Sequence, residues 1–357
     1  MWPYWLLFLI PALAAFQQPT RPWVLRPLRT LRDFRPGWIL TLIAVTLMVG
    51  MRDEVGGDWF NYQEHTLELA GASFAEAVSR TDPGYWFIAW LTADLSWGIY
   101  ASNLIFALIF STGLVVFCRS QPRPWLALAV AVPYLVIVLG MGYSRQGVAL
   151  GLAMLGLVAL GRGKTFAFVL WVALGALFHR SAIILIPLGI LATPRNKVWT
   201  TLWIGVAAYA LYDALLSETL ETWSAGYLDA EYESEGALVR VMMNVLPAVI
   251  LILNRRTLTA TTAEQNLWTW ISMLALASAA WLVVSPSSTA VDRVALYLIP
   301  LQLHVFTRLP DVLGRTPELR RLWVGMVLAY YATVQFVWLV YATHSEYWLP
   351  YRFFIPG

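Results

Sequence analysis

Strongly apolar stretches alternate with short polar turns along almost the whole chain. They fall near residues 2–16, 37–51, 102–118, 125–141, 146–160, 165–179, 181–193, 198–214, 238–253, 266–284, 290–308 and 321–342. Several are shorter than the roughly 20 residues that cross a bilayer squarely. The pattern predicts an all-α, polytopic membrane protein with about 12 transmembrane helices. Pro133, Pro187, Pro247 and Pro300 lie inside these spans, where neighbouring helices can satisfy the carbonyls that a proline frees. A further apolar segment, 85–99, is short, begins at Asp82-Pro83-Gly84 and carries Asp94. Its place depends on topology.

Composition agrees with the pattern. Hydrophobic residues make up 59% of the chain and charged residues only 13%, against roughly a quarter in soluble domains. The 19 tryptophans suit interfacial belts. Cys118 is the single cysteine, which excludes an intramolecular disulfide and a cysteine-based metal site. No polar stretch is long enough for a soluble domain, so residues 1–357 read as one integral membrane domain. No basic nucleic-acid patch, internal repeat, P-loop or Ser-His-Asp order is visible.

Charge sets the expected orientation. Segment 1–16 lacks a basic stretch before its apolar run and reads as a first transmembrane helix with its N-terminus outside. If 85–99 does not cross, most basic residues collect in cytoplasmic loops: Arg21 to Arg35, Arg119 and Arg123, Arg162 and Lys164, Arg195 and Lys197, Arg255 and Arg256, and Arg308 to Arg321. If it crosses, that bias collapses. The segment is therefore expected to be a re-entrant or interfacial helix within an outer-face region, 52–99. In that region the stretch after Gly56-Gly57 has amphipathic spacing, with Phe60, Leu67, Phe74 and Val78 toward the membrane. A second outer loop, 213–238, is acidic and reads as a solvated lid.

Arg52, Arg145, Arg180 and Arg293 fall at the ends of apolar spans on the outer side. An arginine near hydrocarbon either snorkels to the interface or has an anionic partner or substrate, and its guanidinium matches phosphate oxygens in a bidentate way. Arg145 and Gln146 follow Ser144, a good N-cap, so an anion there would also meet free backbone N–H groups. Gly147 and Gly151 form a face for close helix approach. His179 stands at the tip of a helical hairpin, either as general base or phosphate ligand, or as a strut with Ser181 capping the next helix. Asp58 can orient or deprotonate a hydroxyl, cap the following helix or pair with Arg52, and Tyr62 shares its face. Asp292 and Arg293 can form an ion pair, or Arg293 can join Tyr297 as a phosphate-binding residue. Asp94 either pairs with an arginine or faces water, and His65, His304 and His344 read as interfacial. Asp58, Glu64 and His65 have no specific metal-ligand spacing, and no metal or cofactor is called for.

The string Met51-Arg52-Asp53-Glu54-Val55-Gly56-Gly57-Asp58-Trp59-Phe60-Asn61-Tyr62 resembles the R-x-x-x-V-G-x-D-x-x-x-Y signature of EpsG-type membrane proteins, relatives of the Wzy-type polysaccharide polymerases. Four further segments follow in the family's order: Asp82-Pro83-Gly84-Tyr85, Tyr143-Ser144-Arg145-Gln146-Gly147-Val148-Ala149, Phe178-His179-Arg180-Ser181-Ala182 and Asp292-Arg293-Val294-Ala295-Leu296-Tyr297. The resemblance covers roughly residues 1–310. Arg180 departs from it, since the family pattern often has proline there.

The resemblance implies a glycosyltransferase-C-like polymerase in the bacterial inner membrane, acting on its periplasmic face. It would transfer a growing glycan from undecaprenyl pyrophosphate to the non-reducing end of a lipid-linked repeat unit. Asp58, His179, Arg145 and Arg293 would be catalytic; Arg52, Tyr62, Asp82, Gln146, Arg180 and Tyr297 would bind substrate. The lipid-linked oligosaccharide and the bilayer are the implied partners, and a chain-length regulator protein is a further candidate. Other readings are an O-antigen-ligase-like enzyme, a flippase of lipid-linked sugar, which would put charges at mid-membrane, and an acyltransferase using His179.

Overall fold

The computed structural model describes residues 1–18, 36–95, 97–193, 197–216, 236–285 and 287–355. The basic loop at 21–35 and most of the acidic loop at 213–238 lie outside the described residues. The described residues are helical almost throughout. In chain order the helices are α1 (Trp2–Gln17), α2 (Pro36–Gly50), α3 (Trp59–Glu68), α4 (Phe74–Val78), α5 (Pro83–Ala93) and α6 (Gly98–Ser120). Helix α7 (Pro124–Ala131) runs on into a π-helix, Val132–Gly140. Next come α8 (Ser144–Gly161), α9 (Thr165–Ala176), a 3₁₀ turn at Arg180–Leu185, α10 (Pro187–Ala192) and α11 (Lys197–Leu216). The chain ends with α12 (Ala237–Leu258), α13 (Thr262–Val284), α14 (Ser288–Leu296), α15 (Pro300–Leu313), α16 (Pro317–Tyr341) and a 3₁₀ turn at Ser345–Trp348.

The protein is a multi-pass membrane protein. Five of the described helices, α6, α8, α12, α13 and α16, are long and apolar enough to cross a bilayer singly. Further apolar helices, such as α1, α2 and α9, are shorter, at 10–17 residues. Outward faces carry large apolar side chains such as Leu40, Leu253, Leu322 and Phe336, as lipid contact requires. The centre is the segment 126–142, which is buried along its whole length. It is apolar all round because every face meets another helix. Pro133 has no N–H to continue the α ladder, and the π-helix begins beside it.

Close packing rests on glycine. A Cβ on Gly113 of α6 would stand 1.9 Å from the carbonyl oxygen of Gly151 on α8, so the two backbones touch. Gly147 has only ordinary contacts with the π-helix, so the expected Gly147–Gly151 face contributes one residue to this crossing. At the end of the bundle opposite Arg145, Arg123 grips Asp311 with two bonds of 2.6 and 2.9 Å. Nearby, Arg308 reaches Gln121 at 2.6 Å and Glu264 at 2.8 Å. His304, expected at an interface, is instead buried against Trp268 with ring centroids 4.2 Å apart.

Two other expectations are corrected. The stretch 290–308 is two helices, broken at Tyr297–Ile299 ahead of Pro300, which starts α15. Proline suits a first helical turn and disrupts a helix interior. The amphipathic stretch after Gly57 is also two helices, α3 and α4, separated at Gly71, whose positive φ of 73° ends the first. Phe60, Leu67 and Phe74 are exposed, as their spacing suggested, while Val78 is half-buried. Helix α5 has 11 residues, about 16 Å of rise against a hydrocarbon core of about 30 Å. Its first turn follows Asp82, and its C-cap Asp94 accepts from the backbone N–H of Gly71 at 3.3 Å. Of the two expectations for Asp94, an arginine partner or a place facing water, the second holds: the residue is exposed.

Candidate active site

The site begins where α2 stops. The last carbonyls of a helix have no partner within it, and Arg52 supplies one, donating from Nη1 to Val49 O at 2.5 Å. Its Nε donates to Val55 O at 2.9 Å, and Nη2 donates to Ser144 Oγ at 2.9 Å and Asn103 Oδ1 at 3.4 Å. With 1% exposure, Arg52 is a structural hub beneath the site, joining α2, α6 and α8. Ser144 is correspondingly the first residue of α8, and it makes no capping bond. Its hydroxyl receives Arg52.

The loop that follows turns sharply. Glu54 and Gly56 have positive φ, 53° and 106°. A Cβ on Gly56 would lie 2.2 Å from Met141 O, so only glycine fits. This turn delivers Asp58 to the head of α3. The Asp58 side chain makes no helix-capping bond; it lies in the field of Arg145 and Arg293, and the Tyr62 hydroxyl, one turn on, also lowers its pKa.

Asp82 sets a second corner. It has a left-handed backbone, φ 62°, just before Pro83. Its Oδ2 accepts from Arg145 Nη1 at 3.2 Å and its Oδ1 from the backbone N–H of Arg180 at 3.2 Å. The start of α5, the head of α8 and the 179–181 hairpin thus meet on one carboxylate. Arg145 also lies 5.4 Å from the Tyr85 ring centre, within cation–π range.

The third corner comes from α14. Gln146 Nε2 donates to the backbone oxygen of Arg293 at 2.8 Å, fixing α14 to the head of α8. Tyr297 Oη accepts from Ser181 Oγ at 3.1 Å, and Ser181 Oγ is 2.5 Å from His179 Nδ1. When Ser181 donates to Tyr297, its oxygen can accept from a protonated His179 Nδ1, the tautomer that leaves the imidazole lone pair on Nε2. Asp292 does not pair with Arg293. Both its oxygens bind Arg240 of α12, at 2.6 and 2.8 Å.

The electrostatics follow from this convergence. Burial raises the Asp58 carboxyl above the ordinary carboxylate value; Arg145, Arg293, the Tyr62 hydroxyl and Arg52 pull it back. Burial likewise raises Asp82 against the pull of Arg145 and Arg180. His179, in the turn after α9, is pushed down to about 3 by burial and then by Arg293, Arg145 and Arg180. Burial and Arg145 also lower His65, which stays part-buried beside Tyr85. Arg145, Arg180 and Arg293 thus bring guanidinium charge to bear on Asp58, Asp82 and His179. Among the described residues no group of three or more His, Cys, Asp or Glu side chains is placed to hold a metal ion.

The expected residues Asp58, Tyr62, Asp82, Arg145, Gln146, His179, Arg180, Arg293 and Tyr297 are therefore brought to one region, with Arg52 beneath them. Sequence reasoning missed Asn103, the Asp292–Arg240 pair and the packing of Trp348 behind the loop at 52–58. A paired role for Arg240 had a readable signal, since it stands three residues into an apolar helix. Trp348 had none beyond its being aromatic.

The family model of the EpsG family matches residues 38–353. The likeness thus runs beyond residue 310 into the C-terminal segment. No curated protein and no solved structure matches the chain significantly.

Proposed function

The chain belongs to the EpsG family, which is associated with Wzy-type polysaccharide polymerase activity, and from that premise we propose that it polymerises undecaprenyl-pyrophosphate-linked oligosaccharide repeat units on the outer face of the bacterial inner membrane. The observation that carries this reading is the convergence of the head of α8 and the 179–181 hairpin on Asp82, which brings Arg145 and Arg180 together, with α14 and its Arg293 tied to α8 through Gln146. A pyrophosphate diester suits such a site. Guanidinium groups bind its oxygens by charge-assisted bonds, and in a dry pocket they favour the extra charge that develops as it leaves.

In the reaction the acceptor hydroxyl attacks the anomeric carbon of the donor glycan. The new C–O glycosidic bond forms as the bond from that carbon to the pyrophosphate oxygen breaks, and its electron pair departs with the lipid pyrophosphate. The hydroxyl proton passes to Asp58. Burial keeps that carboxylate more basic than usual, which brings it closer to the working pH of a general base. His179 is a much weaker base in the field of three arginines, so its Nε2 orients a hydroxyl by accepting a hydrogen bond. Arg145 and Arg293 hold the pyrophosphate, with Arg180 at the flank. Tyr62 and Asp82 hold Arg145, and Gln146 and Tyr297 hold the backbone around Arg293 and the His179 turn.

Deletion of the gene tests this reading. Single repeat units on undecaprenyl pyrophosphate, accumulating on the outer leaflet, are expected. Units trapped on the inner leaflet would point to translocation and refute it.

A further inference from the structure

The C-terminal segment 345–355 packs behind the site as a strap. Its backbone pairs with the loop that carries Arg52 and Asp58: Gly56 N donates to Tyr347 O at 2.8 Å, Asp53 N to Arg352 O at 3.1 Å and Phe354 N to Met51 O at 2.8 Å. Arg352 and Glu54 add an ion pair at the edge. Trp348 is the centre of the strap and is 2% exposed. Its indole N–H donates to Ile137 O, a π-helix carbonyl, at 2.7 Å, and its own carbonyl accepts from Tyr4 Oη at 2.7 Å. A Cβ on Gly142 would stand 2.6 Å from its ring, and one on Gly57 would stand 3.9 Å away. The indole therefore fills the gap between the loop before Asp58 and the turn before Arg145.

We propose that Trp348 is a positioning residue for the polymerase site, clamping the loop that carries Asp58 against the turn that carries Arg145. This rests on the polymerase reading above. The strap touches the 51–57 loop and the π-helix, whereas α14, which carries Arg293, is tied to α8 through Gln146. Arg145 keeps its own anchor on Asp82 at 3.2 Å, so loosening the strap displaces the base and leaves both the Arg145–Asp82 pair and the Gln146–Arg293 link intact. Turnover should suffer while donor affinity survives.

The test compares full-length wild type, Trp348→Leu and Trp348→Phe in nanodiscs, by hydrogen exchange and by polymerisation of a lipid-pyrophosphate-linked repeat unit. Amides of residues 53–56 should exchange faster in Trp348→Leu, with α6 and α8 protected as in wild type. The kcat should fall by about a hundredfold, the cost of roughly an ångström of misplacement, with donor KM nearly unchanged. Trp348→Phe keeps a ring in the gap and should restore slow exchange and most of the turnover. Wild-type exchange and turnover in Trp348→Leu, or loss of protection throughout the bundle, would overturn the proposal. If wild type forms no polymer, the polymerase reading fails, and wild-type exchange in Trp348→Leu would still sink the clamp independently.

Discussion

Replacing Tyr62 by phenylalanine removes one hydroxyl from the centre of the site and leaves the ring in place. That hydroxyl is one of the groups that hold the Asp58 carboxyl down, and Arg145 acts on it in turn. Burial raises the Asp58 pKa, and Arg145, Arg293, the Tyr62 hydroxyl and Arg52 lower it. Without that hydroxyl, burial is less opposed and the pKa rises further. A hydrogen bond to a charged acceptor is worth about 1.5–3 kcal/mol, so its loss favours the protonated form by roughly ten- to a hundredfold. With Asp58 as the proposed base the carboxylate is the active form, so a higher pKa means less of it at a given acidic pH. The acid limb of kcat must therefore move to higher pH, while the rate on the plateau falls less. Initial rates of polymer formation from pH 4.5 to 8, for wild type and Tyr62→Phe, measure the shift. An acid limb at the same pH in both proteins would refute the assignment of Asp58 as base.

Three further outcomes test the frame around the site. Gly113→Ala drives a methyl to 1.9 Å from Gly151 O and should lower stability by at least about 1–3 kcal/mol, read as a fall in thermal midpoint; Gly161→Ala, which meets nothing within 4 Å, should not. Asp311→Ala strands Arg123, whose side chain is 5% exposed; breaking such a pair costs about 3–5 kcal/mol, while turnover per folded molecule should stay at the wild-type level. His179→Gln keeps a hydrogen-bonding side chain near Ser181 and removes the ring nitrogen Nε2; it should lower kcat without moving the acid limb, and a displaced limb would make His179 the base.

Much of the site could be read from the sequence because its residues sit where apolar spans end on one side. Asp58, Asp82, Arg145, His179 and Arg293 share that property, and their motif order ties them to one family. What could not be read depends on partners far along the chain. The role of Arg52 is set by orphan carbonyls at the end of α2 and by Ser144, 92 residues away. The partner of Asp292 is Arg240, on a helix separated from it by α13. Hydropathy made 290–308 one span because it ignores backbone donors, yet Pro300 at the start of α15 marks the break. The strap escaped notice because residues 343–355 are too short and mixed to give periodicity, and its bonds run to a loop almost 300 residues earlier.

Arg145 and Arg293 are the proposed holders of the departing pyrophosphate. Purified chain in nanodiscs, given undecaprenyl-pyrophosphate-linked repeat units, should yield a ladder of lipid-linked polymer. Arg145→Ala and Arg293→Ala, each inserted and folded as wild type, should yield single units. Full-length polymer from either variant would contradict the claim that these guanidinium groups hold the departing pyrophosphate.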